Sequence, residues 1–168
     1  MQVIVPLENG FLADQYGKYA PELWRDANGP TQSFPVQVQD LPAQTQSWAL
    51  TLLDFDAVPV AGFPWIHWLV TNLAPEQPKL AANASRTAAT LVQGKNSLAS
   101  PFVQINDAQA AQLYIGPTPP DKTHDYQLTV YALDQKLPLE NGYWLNEFYH
   151  ASRGHILAQA QIDLPSRA

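Results

Sequence analysis

Residues 47–55, SWALTLLDF, decide the fold class. They form an apolar run of strand length, set off by the turn-forming stretch LPAQTQ at 41–46 and closing on acidic residues. Such a run, apolar on successive positions, suits a strand in the middle of a sheet. Working outward, WIHWLVTNL at 65–73 again combines aromatic and branched residues, with Pro64 before it and Ala74-Pro75 after it. YQLTVYALD at 126–134 alternates and follows a proline-rich turn, GPTPPD at 116–121. In HILAQAQIDL, His155 to Leu164, Ile156, Ala158, Ala160 and Ile162 share one face. Shorter strands are expected near Val3 to Leu7 and around Phe34 to Val38.

One helix is expected near the C-terminus. Asn141 supplies its cap, Trp144, Leu145, Phe148, Ala151 and Ser152 recur at helical spacing, and Gly154 stops it. The Ala-rich segment 106–112 suggests a further short turn. Between 76 and 106 the chain is polar and irregular, and a loop of that length in a compact domain is either functional or disordered. Fifteen prolines and eight glycines leave little room for long helices. Many strands, few and short helices and proline-rich connections predict a mainly β sandwich or barrel.

The chain has 168 residues, of which 46% are hydrophobic and 11% aromatic, enough for one sizeable core, and no repeat or composition break divides it. A single domain over 1–168 is expected. Charged residues make up only 14%, against roughly a quarter in average proteins, so the surface leans on Gln, Asn, Ser and Thr. A net charge of −6 with no basic run disfavours nucleic acid as a partner. With no cysteine there is no disulfide framework, thiolate metal site or thiol nucleophile. The first residues, MQVIVPLENG, lack the pattern of a secretory signal, and no window approaches the roughly twenty apolar residues of a membrane span. The expectation is a soluble, cytoplasmic protein.

Two of the four histidines stand in unusual places. His67 lies within the most apolar strand, between Ile66 and Trp68, where a hydrogen-bonded core role is the plainer reading. His124 opens a strand directly after the proline-rich turn and shares a face with Tyr126 but not with Asp125. Asp54 and Asp56 close the first central strand on one face, where acidic residues commonly serve as turn formers. No nucleophile elbow, phosphate loop, His-Glu-x-x-His helix, dinucleotide fingerprint or calcium loop is present.

Taken together, DFDAVP at 54–59, WIHW at 65–68 and GPTPPDKTHDY at 116–126 resemble, in order and separation, the three sequence boxes of the phosphatidylethanolamine-binding protein family, and in particular its bacterial, Raf-kinase-inhibitor-like branch. QGKNS at 93–97, YALD at 131–134 and the terminal helix followed by GHILAQAQI at 154–162 extend the likeness from about Ser33 to Ile162. The resemblance implies a β sandwich with one small anion-accepting pocket at its end. It places Asp54, Trp65, His67, Pro117, His124 and Tyr126 in that pocket, with Asp56 nearby and a turn-stabilising role for Asp56 equally open. Asp54 would orient or charge a histidine, and His67, His124 and Tyr126 would act as donors to an arriving anion. His155 is expected to be structural and His150 exposed. The sequence departs from the family pattern where Phe55 replaces a proline, where Val58 stands before Pro59, and where Asp125 replaces an arginine; the segment 97–113 is longer than in short relatives and could cover the pocket or make a partner surface.

The function this implies is that of a non-enzymatic binding protein for phosphate- or carboxylate-bearing ligands (a phospholipid headgroup, a nucleotide-like group or a phosphorylated protein side chain), without cofactor or metal, and with a kinase or protease as a protein partner. Regulation of such a partner transfers only weakly to a bacterial-type sequence. The alternative is a small hydrolase using Asp54, His67 and His124 as acid, base and orienter, or a metal site built from the same histidines with Asp54 or Asp56. An exposed edge strand offers a route to a homodimer, although the sequence singles none out.

Overall fold

All eight residues of Ser47–Asp54 are buried, as a strand in the middle of a sheet requires. The computed structural model describes every residue except Gln104 and Asn106. Its strands run in chain order as β1 (Gln2–Ile4), β2 (Leu7–Glu8), β3 (Phe11–Leu12), β4 (Arg25–Asp26), β5 (Gly29–Pro30), β6 (Val36–Gln39), β7 (Ser47–Asp54), β8 (Trp65–Leu73), β9 (Lys79–Leu80), β10 (Val92–Gln93), β11 (His124–Leu133) and β12 (Ile156–Ser166). Three short helices accompany them, α1 (Val58–Ala61), α2 (Ala84–Thr87) and α3 (Leu145–Ser152).

The main sheet has the order β10-β8-β7-β11-β12, with every neighbouring pair antiparallel. A second sheet, β1-β6-β9, faces it. Alternation sends Trp48, Leu50 and Leu52 of β7, Trp68 and Val70 of β8, and Leu128 and Val130 of β11 inward, where they meet Val3, Phe34, Val36 and Val38. Phe34 meets the rings of Trp68 and Tyr114 edge-on, at centroid distances of 6.1 and 5.7 Å. The opposite face of the main sheet, with Ala49, Leu69, Tyr131 and Leu133, is covered by Phe148 of α3 together with Leu137 and Tyr143. Burying a side chain such as Phe148 contributes about 1.5–3 kcal/mol. The architecture is the mainly β sandwich expected.

Two local expectations need correction. Asn141 does not cap α3: its Oδ1 accepts from the Gln93 amide, while the cap position is held by Trp144, whose amide donates to Glu147 Oε2 at 2.7 Å. Gly154, with φ of +82°, turns the chain into β12 as expected. The described residues of the segment 76–106 do not form a loose loop, because they include β9, α2 and β10 and are fastened by buried polar side chains. Gln93 Oε1 accepts from Trp68 Nε1 at 2.8 Å and from Ser85 Oγ at 2.7 Å, and its Nε2 donates to the Ser85 carbonyl. Asn96 donates to the carbonyls of Ala110 and Leu113. Buried amide groups of this kind do for an irregular segment what a ladder does for a strand. The Ala-rich segment forms a single 3-10 turn at Ala110–Gln112, with position 106 outside the described residues. Among the described residues no helix is long and apolar enough to cross a membrane.

Candidate functional site

Three strand registers bring the site together. Asp54, the last residue of β7, pairs with Tyr126 on one side and with Trp65 on the other. His124 lies two residues before Tyr126 and therefore on the same face. His67 arrives by a different device. Leu52 pairs with Trp68 while Leu53 pairs with Ile66, so β8 holds one extra residue at this point, a β-bulge centred on His67. Strict alternation would put Ile66 and Trp68 on one face. Instead Trp68 joins the inner core and Ile66 packs against the outer cluster. The bulge releases His67 toward Tyr126, whose ring it meets edge-on at 4.9 Å.

These side chains line a cavity of about 190 Å³ at the end of the sandwich. Asp54, Trp65, His67, His124 and Tyr126 all contribute to its wall. Pro117 and Asp56 do not. Pro117 is buried against Gly17, and its neighbours Gly116, Thr118, Pro119 and Pro120 line the cavity in its place. Asp56 lies beyond the strand end, where its Oδ2 accepts from the Asp125 amide at 3.0 Å and its Oδ1 stands 3.8 Å from Lys122 Nζ. It ties the first box to the third, the turn-stabilising role left open by the sequence, and it parts company with Asp54. Asp125 is exposed, so its replacement of an arginine leaves the cavity wall unchanged. His150 is exposed, and His155 precedes β12 and pairs with Asp134 at 3.0 Å. Leu98, from the 97–113 segment, contributes an apolar patch of wall, and Trp65 stacks on Phe63.

The electrostatics differ between the two imidazoles. His124 Nδ1 lies 2.7 Å from Asp54 Oδ2, and its Nε2 lies 2.9 Å from Asp121 Oδ1. Both ring nitrogens face carboxylates, so both donate and the ring is an imidazolium. Burial works against that charge, but the hydrogen bonds to Asp54 and Asp121 and the charges of both raise its pKa above the ordinary histidine value. The same contact holds the Asp121 carboxyl below its usual range. The remaining oxygen of Asp54 accepts from the Ala57 amide at 3.0 Å, which fixes the carboxylate at the start of α1. His67 Nδ1 lies 2.7 Å from the Ile115 carbonyl and can only donate to it. Burial pulls the His67 pKa down to about 4, so near neutral pH the ring is uncharged and its Nε2 carries a lone pair. Burial and the nearby Asp54 charge push the Tyr126 hydroxyl well above its usual range, keeping it protonated.

Asp121 was missed by the sequence reading, although it sits three residues before His124 within the same turn, at a spacing that lets one carboxylate reach back to the ring. Among the described residues, no group of three His, Asp or Glu is placed to share a metal ion.

A profile of the phosphatidylethanolamine-binding protein family matches residues 5–166. The chain belongs to the phosphatidylethanolamine-binding protein family. Relatives in it include the YxkA protein of Bacillus subtilis, 46% identical over 160 residues that cover 95% of each chain, and a UPF0098 protein of Chlamydia muridarum, 36% identical with 89% of this chain and 91% of the relative covered. The crystal structure of a phosphatidylethanolamine-binding protein homologue from Chlamydia trachomatis superposes with a TM-score of 0.72 at 29% identity, covering 99% of this chain and 97% of that one. YbcL of Escherichia coli shares the fold at a TM-score of 0.75 and 24% identity, covering 99% and 98%. The sandwich and its terminal cavity are thus described for a member of a family of binding proteins.

Proposed function

We propose that this phosphatidylethanolamine-binding family member is a non-enzymatic binding protein whose cavity receives a small oxyanion, a phosphate or carboxylate group carried on a larger molecule. The observation that carries the reading is the convergence of Asp54, Trp65, His67, His124 and Tyr126, drawn from three adjacent strands, on one cavity of about 190 Å³. That volume is below the roughly 300–1,000 Å³ of pockets that enclose drug-sized molecules, so it suits a headgroup while the rest of the ligand lies outside. Apolar wall from Ala57, Val60, Ala61, Leu98 and Trp65 surrounds the few polar groups, an arrangement that orients a ligand through a small number of hydrogen bonds.

Both nitrogens of His124 and both oxygens of Asp54 already have partners, in each other, Asp121 and the Ala57 amide, so their part is to set the shape and charge of the floor rather than to transfer protons.

The test is a chemical-shift titration with phosphate, acetate and phosphoethanolamine. The expected result is perturbation centred on Trp65, His67 and Tyr126, and a His67→Ala protein with clearly weakened binding. Shifts confined to surface loops, or an unchanged affinity in His67→Ala, would overturn the reading.

A further inference from the structure

His67 meets the cavity with a lone pair rather than a proton. Its Nδ1–H is committed to the Ile115 carbonyl at 2.7 Å, and Nε2 has no partner among the described residues. His124 offers no substitute, since Asp54 and Asp121 occupy both of its nitrogens. The groups that face His67 are Asp54 from β7, His124 and Tyr126 from β11, and, behind His124, Asp121 from the proline-rich turn; α1 and the residue before it present only Ala57, Val60 and Ala61. Counting Asp54 and Asp121 as −1 each and His124 as +1, the fixed charge is −1. An acceptor nitrogen and a net negative charge are a poor reception for a fully ionised oxyanion.

Resting on the reading of this cavity as an oxyanion site, we infer that it selects oxyanions that arrive with one acidic proton, phosphomonoester monoanions and carboxylic acids, whose O–H donates to His67 Nε2. The complex then holds one proton, shared between ligand oxygen and imidazole, that a free dianion and a neutral His67 together lack. A phosphodiester, which has no such proton, must instead wait for His67 to be protonated. The ligand class is therefore monoesters over diesters, and the chemistry is the same whether the proton-bearing phosphate is inorganic phosphate or is carried on an organic group.

The experiment is calorimetry of the full chain with methyl phosphate and with dimethyl phosphate across the pH range, in pairs of buffers with different ionisation enthalpies. For methyl phosphate, affinity is expected to be level up to its second ionisation near about pH 6 and to fall about tenfold per unit above it, with one proton taken up per ligand bound. At about pH 6 the diester should bind on the order of a hundredfold more weakly, because His67 sits about two units below that pH. His67→Gln, whose amide both donates and accepts, should remove the preference for the monoester and the fall above pH 6. Equal affinity for the diester, binding without proton uptake above pH 6, or a fall with pH that survives in His67→Gln would overturn the inference while leaving the oxyanion reading in place. Absence of binding by both esters would overturn the two together. The proton count on the unaltered protein decides the matter even where the variant folds poorly.

Discussion

His124 and Asp54 form a buried ion pair with 2.7 Å between Nδ1 and Oδ2, and the ring is held from its other side by Asp121 at 2.9 Å. The two carboxylates are unequal. Asp54 is buried and also bonded to the Ala57 amide, whereas the Asp121 side chain is about half exposed. Asp54 therefore carries the pair, and Asp121 trims it.

Removing Asp54 leaves a buried imidazole facing an empty partner position. Asp54→Ala is expected to cost about 3 kcal/mol in denaturant unfolding and to lower the His124 pKa in an NMR titration. The folded-state pKa of His124 is raised, so its stabilisation is complete below the unfolded value of 6.5 and is lost as pH rises through the folded value. Near-wild-type stability of Asp54→Ala at about pH 6 would show that the pair is not what holds the cavity floor.

His67 has the opposite linkage. Its folded pKa is depressed to about 4 from 6.5, so the unfolded chain binds the proton first and stability falls as pH drops through that window. The expected slope is up to about 1.4 kcal/mol per pH unit between those two values. His124 is protonated in both states there and adds nothing. His67→Gln should flatten this part of the unfolding profile; an acid slope equal to that of the unaltered protein would place its origin elsewhere.

Gly116 sits where the turn of the third box presses against the chain's first third. A β-carbon there would lie 2.4 Å from the Tyr16 carbonyl oxygen and 2.6 Å from Pro30 Cβ, and backbone is not free to yield. Gly116→Ala is expected to destabilise by about 1–3 kcal/mol and, because Gly116 lines the cavity, to distort ligand binding as well. Thermal unfolding checks the first effect, and an unchanged midpoint would mean the turn has slack that the packing does not show.

Gln93 joins Trp68, Ser85 and the Asn141 side chain in one buried network, and Ser85 Oγ in turn accepts from the Tyr114 amide. Gln93→Ala leaves the Trp68 indole N–H without its acceptor, which should cost about 2 kcal/mol. Hydrogen exchange should report the loss first across 85–96, ahead of the central strands.

The strands of the main sheet were legible because each is a long apolar or alternating run bounded by turns, and the three boxes marked which strand ends meet. His124 and Tyr126 share a face by parity alone, and the resemblance set Asp54 beside them. What could not be read was what breaks parity or lies outside it. The bulge that turns His67 inward leaves no mark in WIHW, where Ile66 and Trp68 look like partners on one face. The firm seating of 76–106 depends on Gln93, Ser85 and Asn96, polar residues whose partners lie elsewhere in the chain. Asn141 looked like a helix cap because Asn favours that position, but its side chain found the Gln93 amide instead. The hydrogen bonds that take up the histidine nitrogens were equally illegible, since the Ile115 carbonyl and Asp121 come from turns and Asp54 from the end of a neighbouring strand.

The extra residue in β8 separates the pocket from the scaffold that carries it. Shortening that strand by one position at the bulge would let Leu53 and Ile66 keep their outward packing and Trp68 its place opposite Leu52, yet the imidazole that meets Tyr126 edge-on would be gone and only His124 would remain beside it. The packing of the sandwich and the placement of one cavity side chain therefore rest on different residues, so a change of a single strand residue can alter the cavity wall while the core stays as it is.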